Sequence, residues 1–420
     1  MKRLLITGGV PLSGRVHVQG SKNVFLHLAA TSLLAPEPVH LLNVPNITDT
    51  GVCVDIAREL GAHAAFMGTV LTTRADTLRV RTIPNHLGTR IRPTACFGAA
   101  VLARTGATTF PLPGGDAFAE RLIDRHLAAM RAAGAEVEVR GGFVHARAPR
   151  LVGFTFDATT DYGPSLGATV SALLLAATAR GTSRITGASV EPEVGHTVEL
   201  LRRLGAVVHW TGSDVVEIEG CSALSGTTYE VPPDRMVAGT YAIAGAITDG
   251  RIDLHGVSMH DFPAGFLDVV EAAGIAFASV PDGVRAIRGE LAPVKVETGP
   301  HPGYPTDAQP QLCALLTQAP GTSTVVERVY THRATHVPGL AAMGAGVDVV
   351  GRCVTILGPR ALSGATVRGT DIRAAAALVV AALAARGRTE LLGVEHLRRG
   401  YENLTGTLRA LGAPIIEEDH

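Results

Sequence analysis

The sequence predicts an α/β protein of two domains, each built from three repeats of one strand-and-helix unit. Three observations carry that prediction. A glycine recurs roughly every 70 residues, an amphipathic helix-like run ends at each of these glycines, and one helix-like run per repeat is apolar on nearly every face.

The glycines are Gly61, Gly134, Gly205, Gly274, Gly344 and Gly412, spaced by 73, 71, 69, 70 and 68 residues. Each follows a run such as Glu199-Leu200-Leu201-Arg202-Arg203-Leu204. Each precedes an alternating run such as Glu136-Val137-Glu138-Val139 or Val347-Asp348-Val349-Val350. Glycine at that junction fits a helix C′ position, where φ is positive. Alternation of period two fits a half-buried strand. The all-apolar runs begin at Lys22, Arg92, Ser165, Arg235, Asp307 and Arg373. A helix without a polar face is buried. One core for 420 residues would be unusually large, so three repeats per domain is the natural partition.

Composition excludes several classes. The chain is 46% hydrophobic and 18% charged with a formal net charge of -1, so no bulk basic field points to nucleic acid or a membrane surface. Met1-Lys2-Arg3 and the short apolar run after it are broken by Gly8-Gly9, too soon for a signal peptide. The Ala-rich stretch from Ala374 stops at Arg386, short of a membrane span. Cys53, Cys96, Cys221, Cys313 and Cys353 are scattered, neither a zinc pattern nor a disulfide framework. The expectation is a cytoplasmic protein with no nucleic-acid or membrane partner. His332 and His336 are four apart, but no glutamate lies between them and Pro338 follows. They are expected to be loop histidines, not a metal pair, and no metal site is expected.

The buried helices open on polar residues: Lys22-Asn23, Arg92, Ser165, Asp234-Arg235, Thr306-Asp307 and Asp371-Ile372-Arg373. Capping explains Asp307 and Asp371 well. It explains Lys22, Arg92 and Arg373 badly, because cations oppose the helix dipole there. The economical expectation directs these N-termini at one anion-favouring cleft. Leu112-Pro113-Gly114-Gly115-Asp116 leads toward a run that ends at Gly134. On local chemistry alone, Asp116 is a candidate N-cap for that helix.

Taken in order and in phase with the repeat, seven strings resemble the enolpyruvyl transferases over essentially the whole chain. They are Gly20-Ser21-Lys22-Asn23, Leu112 to Asp116 with Arg121, Ser165-Leu166-Gly167-Ala168-Thr169, Glu191-Pro192-Glu193-Val194, Tyr304-Pro305-Thr306-Asp307, Asp371-Ile372-Arg373 and Arg399-Gly400-Tyr401-Glu402. Lys-Asn after Gly-Ser, together with Pro-Gly-Gly, looks like the UDP-N-acetylglucosamine branch rather than the shikimate branch.

The resemblance implies two inside-out α/β barrel domains, 22–231 and 1–21 plus 232–420, with a cleft between them that closes about a hinge. The chain would cross between domains near Ser21 and near Val231-Pro232-Pro233. It further implies transfer of the enolpyruvyl unit of phosphoenolpyruvate to a hydroxyl of a uridine nucleotide. Phosphate leaves by addition and elimination through a tetrahedral ketal, without a metal or organic cofactor. By motif matching, Lys22, Arg92, Arg121, Arg333, Arg373 and Arg399 become candidate contacts for the substrate anions, for which the arginine fork is suited. Asp307 becomes the candidate base beside the acceptor hydroxyl and Asp116 the candidate acid, with Lys22 and Arg399 completing the catalytic set. Asn23 matches a sugar contact. Arg121, Leu122, Ile123 and Asp124 match the segment beside the uridine. Ser165, Leu166 and Gly167 open a buried helix suited to a diphosphate.

Four positions depart from the family pattern. Asp116 stands where many members have cysteine, Gly163 where many have lysine, Val190 where arginine is usual and Leu122 where proline is usual. The last three surround the nucleotide, so they bear on the acceptor more than on the reaction. The favoured acceptor is the 3-hydroxyl of UDP-N-acetylglucosamine, in peptidoglycan precursor synthesis. The alternative is a simpler nucleotide, such as the 3′-hydroxyl of UMP in nucleoside-antibiotic biosynthesis. A non-catalytic UDP-sugar-binding protein is a third reading, disfavoured because a binder needs neither acid nor base. The antibiotic fosfomycin alkylates the family cysteine; aspartate at 116 implies resistance.

Overall fold

The computed structural model describes residues 2–116 and 122–419. The chain is a mixed α/β protein that divides into two units. One comprises Gly20–Gly115 and Glu120–Pro232. The other comprises Met1–Gln19 and Pro233–His420 and takes in Asp116.

Each unit has three buried helices and three main sheets among its described residues. In the Gly20–Pro232 unit the buried helices are Lys22–Ser32, Thr94–Thr105 and Leu166–Ala176. The second packs against both others. In the second unit they are Arg235–Ile247, Gln309–Leu316 and Ile372–Ala384, and all three pack on one another. The all-apolar runs become these helices because each must bury every face. Their starts are set by capping. Ser21, Ser165, Asp234 and Asp371 accept hydrogen bonds from backbone N–H groups of the first turns. Arg92 lies just before its helix, which begins at Thr94 after Pro93.

The sheets follow one pattern. A strand ahead of a buried helix pairs parallel with the strand after it, and two antiparallel strands complete the sheet. Thr155–Asp157 pairs this way with Thr182–Thr186, Lys295–Glu297 with Gly321–Val326, and Thr366–Arg368 with Arg388–Leu392. Around Thr94–Thr105 the parallel pairing shrinks to one bridge, Thr82 with Thr109. Two repeats exchange their strands. Ser13–His17 pairs with Arg251–His255, and Thr227–Glu230 pairs with Val39–Leu42. Lys2–Thr7 also joins the second unit, between Arg388–Leu392 and Ile415–Asp419. The first two strands of the chain are therefore part of the second unit's sheets.

The six amphipathic helices are Thr48–Glu59, Asp124–Ala132, Pro192–Arg203, Ala264–Ala272, Val337–Ala342 and Leu404–Ala410. The repeat glycine lies one residue beyond the C-cap of each, with φ between 90° and 105°. In five of them the next residue, always alanine, donates back to a carbonyl in the last turn, as Ala206 does to Leu201 at 2.9 Å. That is the 6→1 closure of a Schellman motif, which needs the left-handed residue before it.

Among the described residues three histidines are buried. Burial pushes His27 down to about 4, and burial with the nearby Arg92 pushes His126 down to about 3. Burial with the Arg333 charge does the same to His336, also to about 3. The unfolded chain binds a proton at each near pH 6.5, while the folded chain resists it. Stability therefore rises with pH across this window and is lost as pH falls below about 6.5, by up to ~1.4 kcal/mol per pH unit for each group. The urea midpoint should drop steadily from pH 7 to pH 5. His126→Asn, which keeps a polar group toward Ser171, should flatten that dependence. An equal midpoint at both pH values would show that these histidines protonate freely in the folded state.

Candidate active site

A largely buried charge cluster lies in the second unit. The helix Ile372–Ala384 begins with Arg373, and its cap Asp371 accepts from the Arg373 and Ala374 N–H groups at 2.9 Å each. Thr335 holds the other Asp371 oxygen at 2.5 Å. Asp307 sits in the single turn Thr306–Ala308 that precedes Gln309–Leu316. Its Oδ1 meets Arg333 Nη2 at 2.7 Å and its Oδ2 meets Arg373 Nη2 at 2.8 Å. The arginine side chains are 3% and 6% exposed, the aspartate 27%. Two buried guanidinium groups thus share one carboxylate. Burial alone would raise the Asp307 pKa, but the charges and hydrogen bonds of Arg373 and Arg333 outweigh it and hold the carboxyl well below the usual range. Burial opposes the charge on Arg373 too, yet Asp307 keeps it above the ordinary arginine value.

Asp307 was expected to cap its helix. It does not: Ala308 is the N-cap and no side-chain cap bond forms there. The two cations outcompete a backbone N–H for the carboxylate.

The same unit holds Arg399, whose Nη1 pairs with Asp116. Arg399 follows the short helix Val394–Leu397. The neighbouring chain is fixed by Gln19, which donates to the Gly400 carbonyl at 3.1 Å and accepts from the Glu402 N–H at 2.8 Å. Asp116 ends the Pro113-Gly114-Gly115 turn. Gly115 has φ of 105°, and a Cβ at Gly114 would lie 1.6 Å from the Thr89 carbonyl oxygen, so both positions require glycine. The N-cap reading of Asp116 fails for the helix ahead of it. That helix is Asp124–Ala132, and its N-cap is Ile123.

In the Gly20–Pro232 unit Lys22 is buried and pairs with Asp49 at 2.9 Å. Asn23, next on the same helix, is half-buried. Arg92 Nη2 donates to the Leu122 carbonyl at 2.8 Å. Leu122 is exposed and Ile123 buried, while Asp124 stands exposed in the first turn of its helix. Ser165, Leu166 and Gly167 form the start of Leu166–Ala176. His126 packs against the last of these helices. Its Nδ1 lies 2.8 Å from Ser171 Oγ, and a Cβ at Gly167 would fall 2.8 Å from its ring. Arg121 lies outside the described residues.

The match to the family model described as EPSP synthase (3-phosphoshikimate 1-carboxyvinyltransferase) runs over residues 6–408. The chain is an enolpyruvyl transferase. Its relatives include UDP-N-acetylglucosamine 1-carboxyvinyltransferase of Thermus thermophilus, 41% identical over 98% of this chain and 96% of that one. The corresponding protein 1 of Carboxydothermus hydrogenoformans is 39% identical over 99% and 98%. Among solved structures, the enolpyruvyl transferase NikO from Streptomyces tendae superposes with a TM-score of 0.91 at 30% identity, covering 99% and 98% of the two chains. EPSP synthase from Acinetobacter baumannii shares the fold, with a TM-score of 0.77 at 18% identity over both whole chains.

Within this enolpyruvyl transferase the structure brings Asp307, Arg333 and Arg373 into direct contact, and likewise Arg399 and Asp116. It brings Arg92 to Leu122, with His126 linking that neighbourhood to Gly167. Sequence reasoning missed Asp49, His126 and Glu327. Asp49 lies 27 residues from Lys22 with no local signal that they meet. Of the two spaced histidines, His332 is exposed. His336 is not an ordinary loop residue, for it is fully buried at the start of Val337–Ala342. Among the described residues no three His, Cys, Asp or Glu side chains gather as a metal site, and no helix is long and apolar enough to cross a membrane.

Removing one partner of a buried ion pair costs ~3–5 kcal/mol. Asp307→Asn leaves two buried cations facing one another, partly relieved by the carboxylate's exposure to water. It should lower unfolding free energy at pH 7 by about 3 kcal/mol in urea denaturation. The contribution lost is one present above an unfolded pKa near 4 and absent only in strong acid. A loss under ~1 kcal/mol, the value of an exposed pair, would show that the arginines are served by other acceptors.

Proposed function

We propose that this enolpyruvyl transferase moves the enolpyruvyl group of phosphoenolpyruvate to the 3-hydroxyl of UDP-N-acetylglucosamine and releases phosphate. The observation that carries the reading is the second unit's placement of two carboxylates, each on arginines suited to substrate anions: Asp307 on Arg333 and Arg373, and Asp116 on Arg399. The names of the two relatives at 39% and 41% identity support the acceptor.

The units take complementary tasks. Arg333, Arg373 and Arg399 bind the carboxylate and phosphate of phosphoenolpyruvate, and Lys22, Arg92 and Arg121 are the other unit's candidate contacts for substrate anions. Asn23 contacts the sugar, Arg121 to Asp124 contact the uridine, and Ser165 to Gly167 present N–H groups to the diphosphate. While both arginines hold Asp307 it is a weak base. An anion that competes for them frees the carboxylate to take the proton of the acceptor hydroxyl. The oxygen attacks C2 of phosphoenolpyruvate as Asp116, which takes up a proton when Arg399 turns to the substrate anion, passes that proton to C3, giving the tetrahedral ketal. Asp116 then takes a C3 proton back as the C2–O bond to phosphate breaks, and the proton held by Asp307 leaves with the phosphate.

The UMP reading draws on one local observation. Gly163 has φ of 100° at the start of the strand Gly163–Pro164, which pairs with Thr159–Thr160. Lysine, usual in the family there, would be strained in that backbone.

The test is phosphate release from phosphoenolpyruvate with a panel of uridine nucleotides. UDP-N-acetylglucosamine should support turnover far better than UMP. Turnover with UMP alone would install the second reading, and none with any nucleotide would remove both. Asp116→Asn should lose activity by at least ~100-fold, the usual contribution of a general acid. Asp116→Cys should retain some activity and become sensitive to fosfomycin.

A further inference from the structure

Glu327 has no role in the reaction above, yet it is buried at 3% exposure immediately after the strand Gly321–Val326. A buried carboxylate is costly unless its lone pairs are engaged. Its Oε1 accepts from Thr298 Oγ1 at 2.8 Å and from the N–H groups of Val329 and Tyr330 at 2.8 and 3.0 Å. Its Oε2 accepts from Thr306 Oγ1 at 2.8 Å. Thr306 Oγ1 in turn accepts from Arg333 Nη1 at 3.1 Å.

The polarity of this chain is fixed. A carboxylate only accepts and a guanidinium only donates, while a hydroxyl has one proton and two lone pairs. Thr306 must give its proton to Glu327, which leaves a lone pair for Arg333. The other terminal nitrogen of Arg333 is the one that meets Asp307. Thr306 and Asp307 are adjacent on one turn, so one short segment grips both ends of the guanidinium fork. The backbone bonds from Val329 and Tyr330 hold the start of the loop that delivers Arg333.

We propose that Glu327 is a positioning residue for the phosphoenolpyruvate site, acting through the Thr306 hydroxyl to aim Arg333. The inference rests on the enolpyruvyl-transfer reading. In Glu327→Gln the amide oxygen stays with the two backbone N–H groups, and the new NH2 group turns toward Thr306. The Thr306 proton then loses the acceptor that received it, the hydroxyl must turn to find another, and Arg333 loses its alignment.

The experiment combines phosphate-release kinetics with calorimetric titration of phosphoenolpyruvate into the wild-type protein, Glu327→Gln, Thr306→Val and Thr306→Ser. Glu327→Gln and Thr306→Val should each weaken phosphoenolpyruvate, in KM and in Kd, by roughly tenfold or more, the value of a charge-assisted hydrogen bond. The KM for the nucleotide should stay within about twofold, since residues of the other unit bind it under the same reading. Thr306→Ser, which restores the hydroxyl, should recover the affinity. Should Glu327→Gln not fold, Thr306→Val against Thr306→Ser decides by the same split. An unchanged phosphoenolpyruvate affinity overturns the proposal, as does an equal loss for both substrates or a serine variant as weak as the valine one. A wild-type protein that binds phosphoenolpyruvate but releases no phosphate would end the transfer reading and still leave Glu327 judged by binding. No binding at all would end both.

Discussion

One carboxylate between two buried guanidinium groups is the constraint on which the second unit's charged centre depends. Arg333 and Arg373 are almost wholly removed from water, and both are cations. Without Asp307 they would lose the carboxylate that both of them contact. Three separate stretches cooperate to hold the arrangement. Asp371 caps the helix that starts at Arg373, the Thr306–Ala308 turn presents Asp307, and the Glu327 network seats the loop of Arg333. Such a centre is poor value as stabilisation alone, because apolar residues of similar volume commonly do as well. It is well suited to binding an anion, since its donors are fixed before any ligand arrives.

The same centre restrains its own chemistry. Asp307 is held as a carboxylate of low basicity by the two cations that the proposed mechanism assigns to phosphoenolpyruvate. Asp116 pairs with Arg399. Under the proposed mechanism, substrate anions and catalytic carboxylates compete for the same arginines. Binding and activation become one exchange of partners, with the substrate's charge replacing the aspartate's.

Much of the fold was legible in the sequence because it rests on local rules. A C′ glycine reports a left-handed backbone wherever it occurs, and Gly61 to Gly412 do so at each predicted position. The apolar runs marked the buried helices, with starts displaced by a residue or two where Pro93 and the Thr306–Ala308 turn intervene. The candidate site was legible as residue types but not as pairings. Local chemistry made Asp307 and Asp116 helix caps, and long-range arginines claimed both instead. Asp49, His126 and Glu327 gave no signal, because each acts on a partner that only the tertiary fold brings near. Strand exchange, with Ser13–His17 joining Arg251–His255, is another long-range choice that no local pattern encodes.

The exchange of partners at Asp307 is tested most directly by titrating phosphoenolpyruvate into the wild-type protein and into Asp307→Asn, alongside turnover. With the competing carboxylate gone, the variant should bind phosphoenolpyruvate at least as tightly as the wild type while its turnover falls by ~100-fold or more, as for loss of a general base. If binding instead weakens in step with turnover, Asp307 holds the arginines in place and does not compete with the substrate for them.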